Sequence, residues 1–167
     1  MKFNESLVKS PTLLKYLNSQ TPKALDLIKL REGLVLKVYK DSLGKLTAGY
    51  GHLIKPGEEA LEITQSLSDK WLKEDYQGDY LAAQSQSEQL PFATQELIDV
   101  LTSVNYQMGT NWYKGFPKTW ALLKSGKYEE AAVEVESSLW HKQTPVRVRD
   151  FQRVLWRTAL LQQLSSV

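Results

Sequence analysis

The sequence predicts an α+β fold in which a small lobe with a β-hairpin precedes a larger helical lobe and a cleft separates the two. Two observations predict it. Apolar residues alternate from Leu34 to Val38, just before a turn signal at residues 41–44, which is typical of a hairpin. After Pro56 the apolar residues recur almost everywhere at helical spacing. The chain has 167 residues, enough to bury a core of its own.

The small lobe is predicted to begin with a helix. We interpret Thr21-Pro22 as an N-cap followed by proline at the first helical position. Gly33 is well placed to end this helix, so Glu32 is expected at its C-terminal end. A second hairpin strand is predicted over residues 45–54.

The helical lobe is predicted from caps and periodicity. Thr64 is expected to cap the helix that connects the lobes. Further helices are predicted over 97–108, around Trp120, over 128–139 and after Thr144-Pro145. The predicted domain organisation is an extension (1–20), a small lobe (21–63), a connecting helix (64–82) and a helical lobe (83–167).

Composition excludes several kinds of chemistry. The chain has no cysteine, which excludes disulfides and thiolate-bound metals. Its two histidines, His52 and His141, are far apart and lack metal-ligand spacing, so we expect no metal and no cofactor. The N-terminus lacks the apolar stretch of a signal peptide, and eighteen apolar residues nowhere run together. We therefore expect a soluble protein made in the cytoplasm.

The charge is distributed unevenly. The net charge is +2, but residues 140–167 alone carry +4, which leaves −2 for the rest. Against Asp150 this segment has five basic residues: Lys142, Arg147, Arg149, Arg153 and Arg157. Such a segment is compatible with nucleic acid, anionic lipid or anionic polysaccharide, and equally with an ordinary solvated helix face.

Two carboxylates have the right character for glycoside hydrolysis, which needs an acid for the leaving oxygen and a carboxylate to activate water or stabilise the transition state. At a helix C-terminus, the negative end of the dipole favours a protonated Glu32. Asp41 starts a turn and is expected to be solvated and ionised. The bare pair is a weak signal, because most such pairs are surface charges.

The sequence around the pair is more specific. Residues 32–53, EGLVLKVYKDSLGKLTAGYGHL, resemble the active-site signature of the phage-type lysozymes in the glutamate-glycine pair, the Tyr-Lys-Asp step, the turn glycine, the threonine and Gly-His-Leu. A second block resembles the same family in order and spacing: residues 106–109, 115–116, 130–133, Trp140, 143–145 and Arg147. The resemblance runs from about 21 to 156 and leaves the first twenty residues unexplained.

The resemblance implies a lysozyme that cuts the β-1,4 bond between N-acetylmuramic acid and N-acetylglucosamine. It implies that Glu32 is the general acid, and that Asp41 and Thr47 hold the water that attacks the opposite face of the sugar, with inversion. A threonine hydroxyl suits this role because it can accept from the water and donate onward without competing as a charged nucleophile. Out of this context, Thr47 would be an ordinary strand residue.

The resemblance also implies residues that bind the substrate. Leu53, Tyr106 and Thr119 match positions that touch the sugar chain, the last two as conservative departures, whereas Glu134 replaces a neutral amide. Arg147 is placed across the cleft near Glu32. There it either orients the acid or, as a cation, favours its ionised form.

Two residue types have competing interpretations. His52 is either a catalytic base or a packing histidine paired with an acid such as Asp75, and we favour packing. The tryptophans can stack on sugars or fill the core. We expect Trp120 and Trp140 in the core and Trp112 in the cleft or at the surface.

In biological terms, the resemblance implies a phage endolysin that acts as a monomer on peptidoglycan glycan strands and binds no nucleic acid. It would accumulate in the host cytoplasm until a holin opens the membrane, and would then reach the cell wall. We expect the basic C-terminal segment to help it approach the anionic cell envelope. The alternatives are a non-catalytic peptidoglycan-binding module and membrane disruption by the last helix, whose apolar residues rather indicate a core helix.

Overall fold

The α+β class is confirmed by the computed structural model, which describes residue 8 and residues 10–165. The helices are α1 (Pro11–Leu14), α2 (Ala24–Glu32), α3 (Gln65–Glu88), α4 (Gln95–Met108), α5 (Pro117–Lys124), α6 (Tyr128–Glu134), α7 (Leu139–Gln143) and α8 (Pro145–Leu164). Short 3₁₀ turns cover Trp112–Gly115 and Val135–Ser137. The strands are β1 (Val35–Lys40), β2 (Leu46–Gly49) and β3 (His52–Leu53).

The predicted cap of α2 is wrong. The helix begins at Ala24, and its N-cap residue Lys23 makes no side-chain capping bond. The hydroxyl of Thr21 is buried without a partner among the described residues. Instead, the buried carboxylate of Asp99, on α4, accepts a hydrogen bond from the backbone of Ala24. The first turn of α2 is thus satisfied by a tertiary contact, which local sequence cannot predict.

In the described residues the strands form one antiparallel sheet in the order β1-β2-β3. Tyr39 pairs with Thr47, and Thr47 pairs with Leu53 on the other side. The single strand predicted over 45–54 is two strands, because the chain turns at Gly51, whose φ is +75°. Glycine adopts this left-handed conformation without the steric cost that a side chain would add.

The connecting helix α3 begins as predicted. The hydroxyl of Thr64 accepts a hydrogen bond from the backbone N–H of Leu67 at 3.0 Å, which is an N-cap. The helix continues to Glu88, beyond the predicted end at 82. Its buried residues Trp71 and Leu72 pack in two small apolar clusters with the sheet and α2. One side of α3 therefore supports the small lobe.

The main core lies in the helical lobe, around α4 and α8. Leu101, Phe151 and Leu155 are fully buried there. The helix predicted over 128–139 is interrupted: α6 passes into a 3₁₀ turn, and α7 starts after Ser138, whose hydroxyl caps it. None of the described helices is long and apolar enough to cross a membrane.

Two of the three tryptophans with a predicted position lie where expected. Trp120 and Trp140 are buried in the main core, as predicted. The prediction for Trp112 is wrong: its ring is buried and meets Trp120 and Phe151 edge-on, with centroids 6.0 and 5.8 Å away. Trp112 lies in a segment flanked by Gly109 and Gly115, which favours an exposed loop, but this segment folds back onto α8. Aromatic packing from distant parts of the chain decides the position.

The described part of the N-terminal extension packs on the helical lobe. Leu13 on α1 is fully buried in the main core. Tyr16 stacks on Trp156 of α8 with centroids 5.3 Å apart. Arg157 donates to the backbone oxygen of Tyr16 at 2.8 Å. The described part of the extension, which the resemblance left unexplained, thus completes the core. Residues 1–7 and 9 lie outside the described part.

Candidate active site

Glu32 is the last residue of α2, as predicted. Gly33 follows with a φ of 71°, and its N–H bonds the oxygen of Lys29 at 3.1 Å, which ends the helix. The Glu32 side chain is 21% exposed. The acid is thus held at a helix end and is still open to solvent on one side.

Arg147 lies against Glu32, in agreement with the prediction. Pro145 is the first residue of α8, as expected, and places Arg147 in the first turn. The guanidinium Nη2 donates to Glu32 Oε1 at 2.6 Å. Glu32 Oε2 faces Gly51, where an added Cβ would lie only 2.8 Å from that oxygen. The two oxygens therefore have different neighbours, an arginine and a glycine backbone.

Asp41 and Thr47 lie on the hairpin. Asp41 Oδ1 accepts hydrogen bonds from the backbone N–H of Leu43 and Lys45, at 2.8 and 2.9 Å. Thr47 is 3% exposed, and its hydroxyl donates to the backbone oxygen of Lys45 at 3.0 Å. These bonds occupy Asp41 Oδ1 and the Thr47 proton, so Asp41 Oδ2 and the Thr47 lone pairs can accept from another group.

Tyr39 connects the predicted catalytic residues. Burial raises the pKa of its phenol, and the negative charges of Glu32 and then Asp41 raise it further. Both carboxylates therefore lie close enough to act on one ring. Tyr39 also pairs with Thr47 across the sheet. The Tyr39 phenol is thus near both Glu32 and Asp41, and its strand pairs with the strand of Thr47. The Tyr-Lys-Asp step is the sequence signal that could have found Tyr39.

Leu53 and Tyr106 line one cavity of about 300 Å³, together with Gly51, His52, Lys55, Asp75 and Asp79. Leu53 is half exposed. The hydroxyl of Tyr106 donates to the backbone oxygen of Tyr50. Burial raises the pKa of Tyr106 well above its usual range, and the charges of Asp75 and Glu32 add to the effect. Because Gly51 lines this cavity and faces Glu32 Oε2, the cavity borders the Glu32 carboxylate.

Asp79 is a cavity residue that the sequence analysis missed. It lies in the middle of α3, and burial, helped by the charge of Asp75, raises its pKa to about 6. Acidic residues within a long polar helix normally indicate a solvated face, so Asp79 has no distinguishing signal in the sequence.

Thr119 lies in a different cavity, of about 340 Å³. Its side chain is buried, and Glu134 and Trp140 line the same cavity. The structure thus brings together Thr119 and Glu134, two of the three departures from the family pattern in the helical lobe, in a cavity separate from that of Leu53 and Tyr106.

His52 is a packing residue, as favoured. It is 3% exposed, and its Nδ1 lies 2.6 Å from Asp75 Oδ2 and its Nε2 3.0 Å from Glu58 Oε1. Its ring stacks on Trp71 with centroids 4.0 Å apart. The bond from His52 is the main cause that lowers the pKa of Glu58. No group of histidines and carboxylates in the described part of the chain is arranged to hold a metal ion.

Much of the basic C-terminal segment is engaged in ion pairs. Arg147 pairs with Glu32, Arg153 with Asp150, and Arg157 with Glu96. No carboxylate of residues 8 or 10–165 pairs with Arg149 or Lys142. The positive charge available to an outside partner is thus smaller than the sequence suggests, and contact with an anionic envelope stays a prediction.

Known proteins resemble the chain over most of its length. The family model for phage lysozyme matches residues 29–153, which include the hairpin, α3 to α7 and the first turns of α8. A probable T4-type lysozyme 1 of Dictyostelium discoideum is 31% identical, and a probable T4-type lysozyme 2 of the same organism is 29% identical; each match covers 73% of this chain and 86% of the relative. The chain therefore belongs to the phage lysozyme family and is a glycoside hydrolase of the lysozyme type, with peptidoglycan as its substrate.

Proposed function

We propose that the protein hydrolyses the β-1,4 bond between N-acetylmuramic acid and N-acetylglucosamine, with Glu32 as general acid and Asp41 and Thr47 positioning the attacking water. The observation that carries the proposal is the pair of different environments around Glu32. Arg147 holds Oε1, whereas Oε2 faces the glycine backbone of residue 51 beside the cavity of Leu53 and Tyr106.

The acid step uses these two environments. Protonated Oε2 gives its proton to the glycosidic oxygen as the bond to the muramic acid anomeric carbon breaks. Glu32 becomes a carboxylate in this step, and the guanidinium of Arg147, 2.6 Å from Oε1, stabilises the charge that develops. The departing N-acetylglucosamine leaves with a free hydroxyl.

The water step uses the hairpin. A water on the opposite face of the sugar donates one hydrogen bond to Asp41 Oδ2 and one to the Thr47 hydroxyl oxygen. Its oxygen bonds to the anomeric carbon while Asp41 takes its proton, so the configuration inverts. The hydrogen bonds at Asp41 Oδ1 and from the Thr47 hydroxyl keep both side chains in place before the water arrives.

The glycan strand is proposed to run along the two cavities. Leu53 offers exposed apolar surface and Tyr106 a buried ring on the side next to Glu32. Thr119 lines the second cavity, where Glu134 offers a carboxylate that accepts hydrogen bonds only.

The test is digestion of isolated peptidoglycan by the wild type and by Glu32→Gln, with mass spectrometry of the new ends. The expected result is reducing-end N-acetylmuramic acid from the wild type alone. Reducing-end N-acetylglucosamine, peptide cleavage, or equal activity of the variant would overturn the mechanism. Binding of peptidoglycan without any cleavage would instead support the alternative, a non-catalytic binding module.

We also propose that the protein is a monomeric endolysin that waits in the host cytoplasm and lyses the host once a holin opens the membrane. The family to which it belongs supports this role. Expression in a bacterial cytoplasm tests it. The optical density of the culture should not fall until a membrane-permeabilising agent is added, and it should then fall with the wild type but not with Glu32→Gln. Lysis without the agent would contradict the dependence on a holin.

A further inference from the structure

The residue before Glu32 makes a second ion pair with the same helix. Arg31 Nε donates to Asp150 Oδ2 at 2.6 Å, and its Nη2 donates to Asp150 Oδ1 at 2.8 Å. The side chain of Asp150 is 8% exposed and that of Arg31 22%. Two parallel bonds in a site sheltered from water fix both distance and orientation, which a single bond to a lysine would not do.

The two ion pairs run side by side. Arg31 and Glu32 are the last two residues of α2. Their partners Arg147 and Asp150 are three residues apart on α8 and hence lie on the same face of that helix. Gly33 follows at once with a positive φ of 71° and ends α2, so Glu32 lies at the very end of the helix that Arg31 joins to α8. The position of Glu32 therefore depends on how α2 is held to α8.

Asp150 is also a competitor for Arg147, because a carboxylate three residues away on one helix face is within reach of an arginine. In the structure Arg31 occupies both oxygens of Asp150, and Arg153 adds a longer bond of 3.4 Å. Without Arg31, this nearly buried carboxylate would keep only the long bond from Arg153, and such a charge draws the other cations within reach. Arg147, one turn away on the same helix, is one of them, and a move toward Asp150 would take it off Glu32.

We propose that Arg31 and Asp150 are a positioning pair for the acid catalyst: their two parallel hydrogen bonds hold the end of α2 against α8 and keep Arg147 on Glu32. The proposal rests on the proposed role of Glu32. Neither residue lines the two cavities proposed for the glycan, so both act through Arg147 and Glu32. The pair therefore affects the chemical step more than it affects the binding of glycan.

The test measures kcat and KM of the full chain on soluble peptidoglycan fragments. Arg31→Met and Asp150→Asn are each expected to lower kcat about tenfold with KM changed less than about twofold, as a misplaced catalytic group does. The double variant should be no worse than either single one, because both break the same bond. Arg31→Lys should have a kcat between those of Arg31→Met and the wild type, because lysine keeps the positive charge but cannot make the two parallel hydrogen bonds.

Arg157→Met is the matched control. It breaks the pair with Glu96, in which the arginine has similar exposure (18%) and the carboxylate is more exposed (26%), and also the bond to the Tyr16 backbone. Like the pair of Arg31 and Asp150, this pair joins α8 to another element, but ten residues along α8 from Arg147. It should lower the thermal unfolding temperature about as much as Arg31→Met while leaving kcat at 25 °C unchanged. All variants are assayed at a temperature at which circular dichroism shows them folded.

The outcomes separate two failures. An inactive wild type, or a Glu32→Gln variant as active as the wild type, would overturn the proposed function. If the wild type is active and Glu32→Gln is not, full kcat in Arg31→Met and Asp150→Asn would overturn the positioning pair alone. A loss of kcat in Arg157→Met equal to that in Arg31→Met would also overturn it, because the effect would then be one of general stability.

Discussion

Arg147 and Glu32 are 115 positions apart in the sequence, yet the Nη2 atom of Arg147 lies 2.6 Å from Oε1 of Glu32. Helix α2 ends at this contact and α8 begins there. The contact thus joins the end of one helix to the first turn of another. It leaves Glu32 Oε2 free of the arginine, and this is the oxygen that gives the proton in the proposed mechanism.

Replacing Arg147 by lysine is expected to lower kcat about tenfold, because lysine keeps the charge but its flexible ammonium holds Glu32 Oε1 less rigidly than the planar guanidinium does. Arg147→Met should lower kcat further, because Glu32 then ionises without a cation beside it. Steady-state kinetics on soluble peptidoglycan fragments measure both. Arg149→Lys is the control, an exposed position two residues along the same helix that should show no change. Equal kcat in all three would contradict the assigned role of Arg147.

Gly51 should not tolerate a side chain. In Gly51→Ala the new Cβ would lie 2.8 Å from Glu32 Oε2, so the acid must move, and a displacement of this kind costs about a hundredfold in kcat. Gly57→Ala is the matched control, since it also has a positive φ, of 92°, but nothing within 4 Å of the added atom. Both should lose about 1–2 kcal/mol of stability from the left-handed backbone. Only Gly51→Ala should lose activity, and equal activities of the two variants would contradict the close approach.

The extension should contribute to stability. Leu13→Ala is expected to lower the free energy of unfolding by about 2–5 kcal/mol, because it leaves a cavity in the main core. Urea denaturation measures it. Leu81→Ala, at a position 64% exposed, should change stability by less than about 0.5 kcal/mol. If the two variants were equally stable, the packing of the extension on the helical lobe would be contradicted.

Asp79 should make stability depend on pH. Its folded pKa, about 6, is above its ordinary value of 3.8, so the folded state holds this proton more tightly than the unfolded state. Stability from this group is full below about pH 4 and falls as the pH rises through 6. Because Asp79 is only partly buried, Asp79→Asn should stabilise the protein at pH 7 by only about 1 kcal/mol, and by nothing at pH 4. Equal effects at both pH values, from urea denaturation, would contradict the shift.

The sequence predicted the parts of the site that depend on local chemistry. Gly33 ends a helix and thereby places Glu32, and the turn at Asp41 places Thr47 on the strand that follows. Arg147 could be placed opposite Glu32 only through the resemblance, since its 115-residue separation has no local signal.

The errors have tertiary causes. The N-terminus of α2 is satisfied by Asp99 from another helix rather than by Thr21, and Trp112 is buried by aromatic rings that come from α5 and α8. The pairing of Arg31 with Asp150 also has a tertiary cause, since the two residues are 119 positions apart and no local pattern connects them. Cap and loop signals describe what a segment prefers alone, and these contacts decide what it does in the fold.

The most direct test of the mechanism is the configuration of the sugar released. Proton NMR during the first minutes of digestion of a defined glycan oligomer distinguishes the two anomers of the new reducing-end N-acetylmuramic acid before they equilibrate. Attack by a water held at Asp41 and Thr47, opposite the bond that Glu32 protonates, predicts the α-anomer. Initial release of the β-anomer would mean retention through a covalent intermediate and would contradict the water-positioning role assigned to Asp41 and Thr47.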